Sequence, residues 1–383
     1  MTLLKGLKIL DFSALLPGPF ATMMMADLGA EVLRVEPPSR RNQVKRNAIA
    51  SLRPDYLNRS KKALALDLKK PESVEVVKEL VKEYDIVFEQ FRPGVMDRLG
   101  VGYEALKEVN PKVIYCSLTG FGQTGPYRNR PGHDNNYLSI AGLASYSGRK
   151  SVGPTLSGTQ IADLAGGSLH SIIGLLSAVI YRDRTGKGQW LDISMTDCTF
   201  ALNAYSAPGY LAGGVNPELE ETLLNGGLFY DYYETKDGRY FSVGSAEPEF
   251  RKLLCEAIGR GDLFDLSLSL FQDEIRTFKK IVKEAFLTKT FSEWKEIFEG
   301  IEACVEPVLS LAEACEHPQL VERKMVVEVP KLDGGYQKQI ACPIKSNEFT
   351  PEYKHVGLEL GKNTEEIMQS LDLPAEVLNS NKD

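Results

Sequence analysis

Three short stretches hold side chains suited to moving a proton. "GHDNNY" (132–137) places His133, one of four histidines in 383 residues, between Gly132 and Asp134. Imidazole changes charge near neutral pH, so a histidine is the first residue to consider for acid–base work, although a lone histidine is just as well a structural loop residue. Gly132 gives the preceding backbone freedom. Asp134 is placed to cap a helix expected to begin at Asn135, and the free N–H groups at such a start can stabilise a developing oxyanion. "ADLAGG" (162–167) sets Asp163 just ahead of Gly166 and Gly167. An aspartate there is most simply an N-cap. The glycine pair weakens a helix, and is tolerated where a ligand or a neighbouring helix must come close. "GSAEPEF" (244–250) carries Glu247 directly before Pro248, which is an ordinary exposed helix start or a third acid–base group.

These stretches hang on alternating strand and helix patterns. Strands are expected at 7–13, 31–36, 62–68, 85–91 and 112–118, with helices after Pro17, after Pro71 and over 103–110. Strand–helix–strand alternation predicts an α/β fold around a mainly parallel sheet, with ligands at the carboxyl ends of its strands. "LLPGPF" stands where a dinucleotide fingerprint would follow the first strand. "NRSKK" (58–62), Lys69, Arg92 and Arg98 fall at predicted strand ends, as a solvated face or as a phosphate site. A long helix is expected from near Asp163 through Arg184, then a strand at 190–195 and a helix over 196–212. Residues 213–227 read as a linker. An aromatic, β-branched pair of strands around Asp237-Gly238 (229–245) reads as a hairpin. The expected layout is a large domain over 1–212, a smaller α+β domain over 228–319, and a return of 320–383 to the large domain.

The net charge of −7 argues against nonspecific nucleic-acid binding and allows local basic patches. The longest apolar run, 171–181, falls short of the roughly 18–20 residues that span a bilayer, so no membrane partner is expected and the cytoplasm is the default location. The six cysteines are scattered, without metal-ligand spacing, and are expected to be reduced and mostly buried.

Taken in order, "GLKILDFSALLPGPFATMMMADLGAEVLRVE", "NRSKKALALDLK", "FRPGVMDRLGVGYEALKEVNPKVIYCSLTGFGQTGP", "GHDNNYLSIAGL", "GLLSAVIYRDRTGKGQWLDISMTD", "YDYYETKDGRYFSVGSAEPEF" and "CVEPVLSLAEACEHPQLVER" resemble the family III CoA-transferase (CaiB/BaiF) superfamily, and within it the α-methylacyl-CoA racemase branch. The resemblance implies a large Rossmann-like domain plus a small domain, an interlocked homodimer, and an acyl-CoA thioester as substrate. It implies no metal and no nicotinamide, CoA being part of the substrate. Matching positions imply that CoA is held by Leu66, Asp67, Leu68, Lys69, Gln90, Phe91, Arg92, Arg98, Gly132, Asn135, Asn136 and Tyr137. An arginine that the racemases carry after the second strand falls on Pro37, leaving Arg40 or Arg41 as a substitute.

Two chemistries share this scaffold. In the transferases the aspartate matching Asp163 takes the acyl group as an anhydride and passes CoA to a free carboxylic acid. In the racemases it is one of two acid–base groups; His133 matches the other, with Glu247 as its partner and the Asp134 N–H as support for an enolate. Transferases usually lack that histidine, and several carry a glycine run. This chain has His133 and Glu247 and no three consecutive glycines, which favours inversion of a 2-methylacyl-CoA over CoA transfer.

Overall fold

Six short strands build the central sheet: β1 (Lys8–Asp11), β2 (Glu31–Glu36), β3 (Lys62–Ala65), β4 (Ile86–Glu89), β5 (Ile114–Thr119) and β6 (Gln189–Ser194). All five pairings are parallel, in the order β3-β2-β1-β4-β5-β6. The structure is a computed structural model and describes residues 2–39, 54–374 and 376–377. Strands β4 and β5 are buried along their whole length, as expected of a parallel sheet covered on both faces. One face packs Ile9, Val32, Phe88, Cys116 and Leu118 against helices α1 (Pro17–Asp27) and α3 (Leu169–Thr185). The other packs Leu10, Leu33, Val87 and Tyr115 against the helices Pro71–Leu80 and Thr364–Ser370.

The chain runs outward from β1 to β2 and β3, then crosses back to β4, β5 and β6. The carboxyl ends of β1 and β4 therefore border a switch point, where the connections leave in opposite directions and open a crevice. The loop after β1 is fixed by Asp11, which is buried at the end of the strand. Its carboxylate accepts from the Ser13 N–H (2.9 Å), the Thr22 hydroxyl (2.5 Å) and the buried Lys61 ammonium (3.2 Å). Lys61 also donates to the Pro19 carbonyl, so one buried cation fastens the loop to the start of α1. Gly18 donates to Gln90 Oε1 (3.1 Å) across the crevice. A Cβ on Gly18 would stand 2.2 Å from Ser13 Cβ, so no other residue fits there.

By its contacts the chain divides into two compact units. The first comprises Met1–Ala141, Ser157–Leu202 and Gln319–Asp383; the second Gly142–Leu156 and Asn203–Pro318. The second unit is thus larger than the 228–319 expected. It takes in a small hairpin, Gly148–Arg149 with Gly153–Pro154, because Arg149 is ion-paired to Asp231 and Glu220. The segment 213–227 is not a free linker either. Asn225 donates to the carbonyls of Tyr146 and Glu218 and so packs it into this unit. The single helix expected over 196–212 is broken into Met195–Ala201 and Ala207–Gly213, with non-helical Asn203 between them and Pro208 able only to start the second piece. The hairpin at Asp237-Gly238 forms from Asp231–Glu234 and Tyr240–Val243, and Val305–Pro307 adds a third strand. Phe241, Phe286, Trp294 and Phe298 fill its core.

Two bulk expectations change. The helical run Ala162–Thr185 is 24 residues long and apolar enough, by length and composition, to cross a membrane; the estimate from 171–181 missed its first turns. Here Ile172, Leu175, Ala178 and Val179 lie in the core, while Ile173, Ile180 and Tyr181 are exposed. Of the six cysteines only three (Cys116, Cys255 and Cys342) are buried; Cys304 and Cys315 are exposed.

Candidate active site

Asp163 lies in a seven-residue π-helical segment, Ala162–Ser168, that continues directly into α3. A helix does begin here, but in its wide form, and Asp163 sits in the first turn rather than at the cap, which is Ile161. Wide turns of this kind recur at functional sites because they displace a side chain from the regular helical path. Ser168 holds the turn by donating to the carbonyls of Asp163 (3.0 Å) and Pro17 (2.7 Å). The glycine pair answers to a neighbouring helix. A Cβ on Gly166 would stand 2.8 Å from Thr199 Oγ1, and one on Gly167 2.9 Å from Met195 Cγ; both contacts belong to α4 (Met195–Ala201).

His133, Asp134 and Asp163 are brought together within the first unit. The helix α2 (Asp134–Ile140) starts one residue earlier than expected. Its N-cap is His133, whose N–H donates to Asn136 Oδ1 (2.9 Å). Asp134 is therefore not the cap. Its Oδ1 instead accepts the backbone N–H of Asp163 (2.9 Å), while its own N–H has no partner among the described residues. The imidazole of His133 is exposed. The loop before it is braced by buried Tyr137, whose hydroxyl donates to the Gly132 carbonyl (2.6 Å) and whose ring meets Phe121 edge-on at 5.2 Å.

The charges on this corner act on one another. Burial, and next the Asp134 charge, push the Asp163 carboxyl up to about 6, with His133 pulling the other way. Burial and the same two carboxylates push the Tyr137 phenol up to about 12. The Asp163 carboxyl has no hydrogen-bond partner among the described residues, so it is free to meet a substrate. A half-buried carboxyl near 6 can give or take a proton around neutral pH.

The positions matched to CoA follow β3 (66–69) and β4 (90–92 and Arg98), and after β5 they lie at the start of α2 (132 and 135–137). Lys69, Arg92 and Arg98 are exposed and have no ion-pair partner among the described residues. Lys69 N–H bonds Asp67 Oδ1 (3.1 Å). Leu68 and Phe91 are partly buried. Leu66 is core, so it can offer a ligand only its backbone, and the Gln90 carboxamide is already engaged by Gly18. Asn135 is exposed; the Asn136 side chain and the Tyr137 hydroxyl serve the loop itself. Pro37 is exposed just beyond β2, and Arg40 and Arg41 lie outside the described residues. Glu247 belongs to the second unit. It is exposed and N-caps the helix Pro248–Ala257 without a side-chain cap bond.

The sequence also concealed a buried carboxyl at the end of a strand that burial raises towards neutrality. Glu89, at the end of β4, is 4% exposed and accepts from the Phe91 N–H (2.7 Å). Burial, only partly offset by hydrogen bonds from Ser117 and Phe91, pushes it up to about 7. It resembled any other strand residue, and only its depth sets it apart.

The family model described as CoA-transferase family III matches residues 4–364. The chain is 36% identical to the α-methylacyl-CoA racemase of Homo sapiens, over 99% of this chain and 97% of that one. It is 30% identical to the succinyl-CoA:glutarate CoA-transferase of Homo sapiens, over 96% and 86%. A solved CaiB/BaiF family protein from Brucella suis superposes with a TM-score of 0.83 at 28% identity, covering 97% of this chain and all of that one.

Proposed function

The chain belongs to CoA-transferase family III, and on that premise we propose that it is a racemase that inverts the α-carbon of 2-methylacyl-CoA thioesters. The grouping of His133, Asp134 and Asp163 on one corner of one unit carries the reading. The thioester carbonyl acidifies the α-proton. One base takes that proton, and the C–H electron pair moves into an enolate. The protonated second base then returns a proton to the opposite face. His133 and Asp163 are the two bases, starting in opposite protonation states. The Asp134 N–H, without a partner among the described residues, supports the enolate oxygen. After turnover the two bases have exchanged roles, and proton exchange with water resets them.

Lys69, Arg92 and Arg98, without an ion-pair partner among the described residues, offer positive charge to the CoA phosphates, and the backbones around Leu66 and Gln90 flank them. The exposed Ile173, Ile180 and Tyr181 on α3 support a homodimer in which that apolar face is covered.

The test is exchange of the α-proton in D₂O, offered (R)- and (S)-2-methylacyl-CoA. The expected result is deuterium incorporation with inversion from either isomer. His133→Ala should slow it by about 10²–10⁴-fold while leaving CoA binding intact. The 30% identity to a CoA-transferase makes CoA transfer to a free acid through Asp163 the competing outcome. Transfer without α-exchange, undiminished in His133→Ala, would overturn the racemase reading.

A further inference from the structure

The proposed chemistry uses only the backbone of Asp134 and leaves its carboxylate without a task. That carboxylate is engaged elsewhere. Its Oδ1 accepts the Asp163 N–H at 2.9 Å, across 29 residues of sequence. Asp163 is gripped on its other side by Ser168, whose hydroxyl donates to the Asp163 carbonyl. The reacting carboxyl has no hydrogen-bond partner among the described residues. Its place therefore depends on how its backbone is held, and the Asp134 bond is the half of that grip that comes from outside the π-helical segment.

We propose that Asp134 is a positioning residue: its carboxylate pins the backbone of Asp163 and lays a second negative charge beside the acid–base carboxyl. A neutral oxygen would also accept the N–H, in a weaker bond. The charge does something further, because two neighbouring carboxylates resist ionising together. The groups that act on Asp163 are Asp134, which favours its protonated form, and His133, which opposes that. Tyr137, on the same helix, faces both carboxylates. From α3, His170 places Nδ1 2.8 Å from the Gly166 carbonyl. No charged group of α1 or α4 acts on Asp163. One side chain thus couples where Asp163 sits to how readily it carries a proton.

The inference rests on the racemase reading only where rates are measured. Two variants separate its halves. Asp134→Asn keeps an oxygen that accepts the N–H and removes the charge; Asp134→Ala removes both. The first readout is the titration of Asp163 by carbon NMR of the full chain labelled at Asp Cγ, the signal assigned by its loss in Asp163→Asn. In Asp134→Asn its midpoint should fall by about one pH unit. The second is the pH profile of α-proton exchange. The acid limb should move down with that midpoint in Asp134→Asn. The plateau should drop by about 10²-fold in Asp134→Ala, where the carboxyl is no longer held. An unmoved Asp163 titration in Asp134→Asn overturns the role of the charge, and equal plateaus in the two variants overturn the role of the bond. If the wild type exchanges no α-proton, the racemase reading fails and the NMR titration alone decides for or against Asp134.

Discussion

Replacing Asp163 by Asn should end the chemistry and stabilise the protein. In the folded chain burial, and next the Asp134 charge, raise this carboxyl from its ordinary 3.8 to about 6. The gap is about 2 pH units, and at ~1.36 kcal/mol for each it caps the penalty near ~3 kcal/mol. The carboxyl is partly open to water, and solvent screening cuts that ceiling to about 1 kcal/mol. The sign follows from the direction of the shift. Because the folded value lies above the unfolded one, the group costs nothing well below pH ~4, and stability is lost as pH rises through about 6. Asparagine never ionises and escapes the loss. At pH 8 Asp163→Asn should therefore melt about 2 °C higher than wild type, and the gain should shrink towards pH 4.5. Calorimetric scans of both proteins at pH 4.5, 6 and 8 measure it. A variant that melts at or below the wild type at pH 8 would refute the reasoning, because the strain assigned to this carboxyl would then not exist.

Lys61→Met strands the Asp11 carboxylate in the core with only the Ser13 and Thr22 groups for company. It should cost about 3–5 kcal/mol, read as a lower denaturant midpoint; a loss well under 1 kcal/mol would mean that the hydroxyls alone hold the loop after β1. Arg92→Ala with Arg98→Ala should weaken CoA binding by about 10–100-fold and flatten its salt dependence. Calorimetric titration at two ionic strengths checks this, and unchanged affinity would move the phosphates away from the carboxyl edge of β4.

The sheet was legible because its strands are apolar enough to be buried on both faces, and Pro17 and Pro71 mark helix starts. The limits of the second unit were not. They depend on Arg149 finding Asp231, 82 residues on, and on Asn225 reaching the Tyr146 carbonyl; neither tie leaves a trace in composition or periodicity. Within the site, the residue types were readable and their couplings were not. His133 and Asp163 stood out as a scarce imidazole and an acid beside two glycines. Asp134, beside His133, looked like a helix cap, and its bond to a backbone N–H 29 residues away exists only once α2 and the π-helical segment are packed together. The glycine pair had two explanations that local sequence cannot separate, and only the position of Thr199 and Met195 decides between them.

That coupling bears on which chemistry the scaffold is tuned for. An aspartate held always ionised calls for a cation or several N–H donors around the carboxylate. Asp163 has the opposite surroundings: a second carboxylate, partial burial and no donor to its own oxygens among the described residues. Near 6, about a tenth of the Asp163 carboxyls hold a proton at pH 7, so both protonation states are populated at once. An acid–base group that gives a proton in one direction and takes one in the other uses both states; a nucleophile, still about nine-tenths ionised, loses little by the balance. The placement of Asp134 therefore readies Asp163 for proton transfer without barring acyl transfer, and survival or loss of turnover in His133→Ala separates the two.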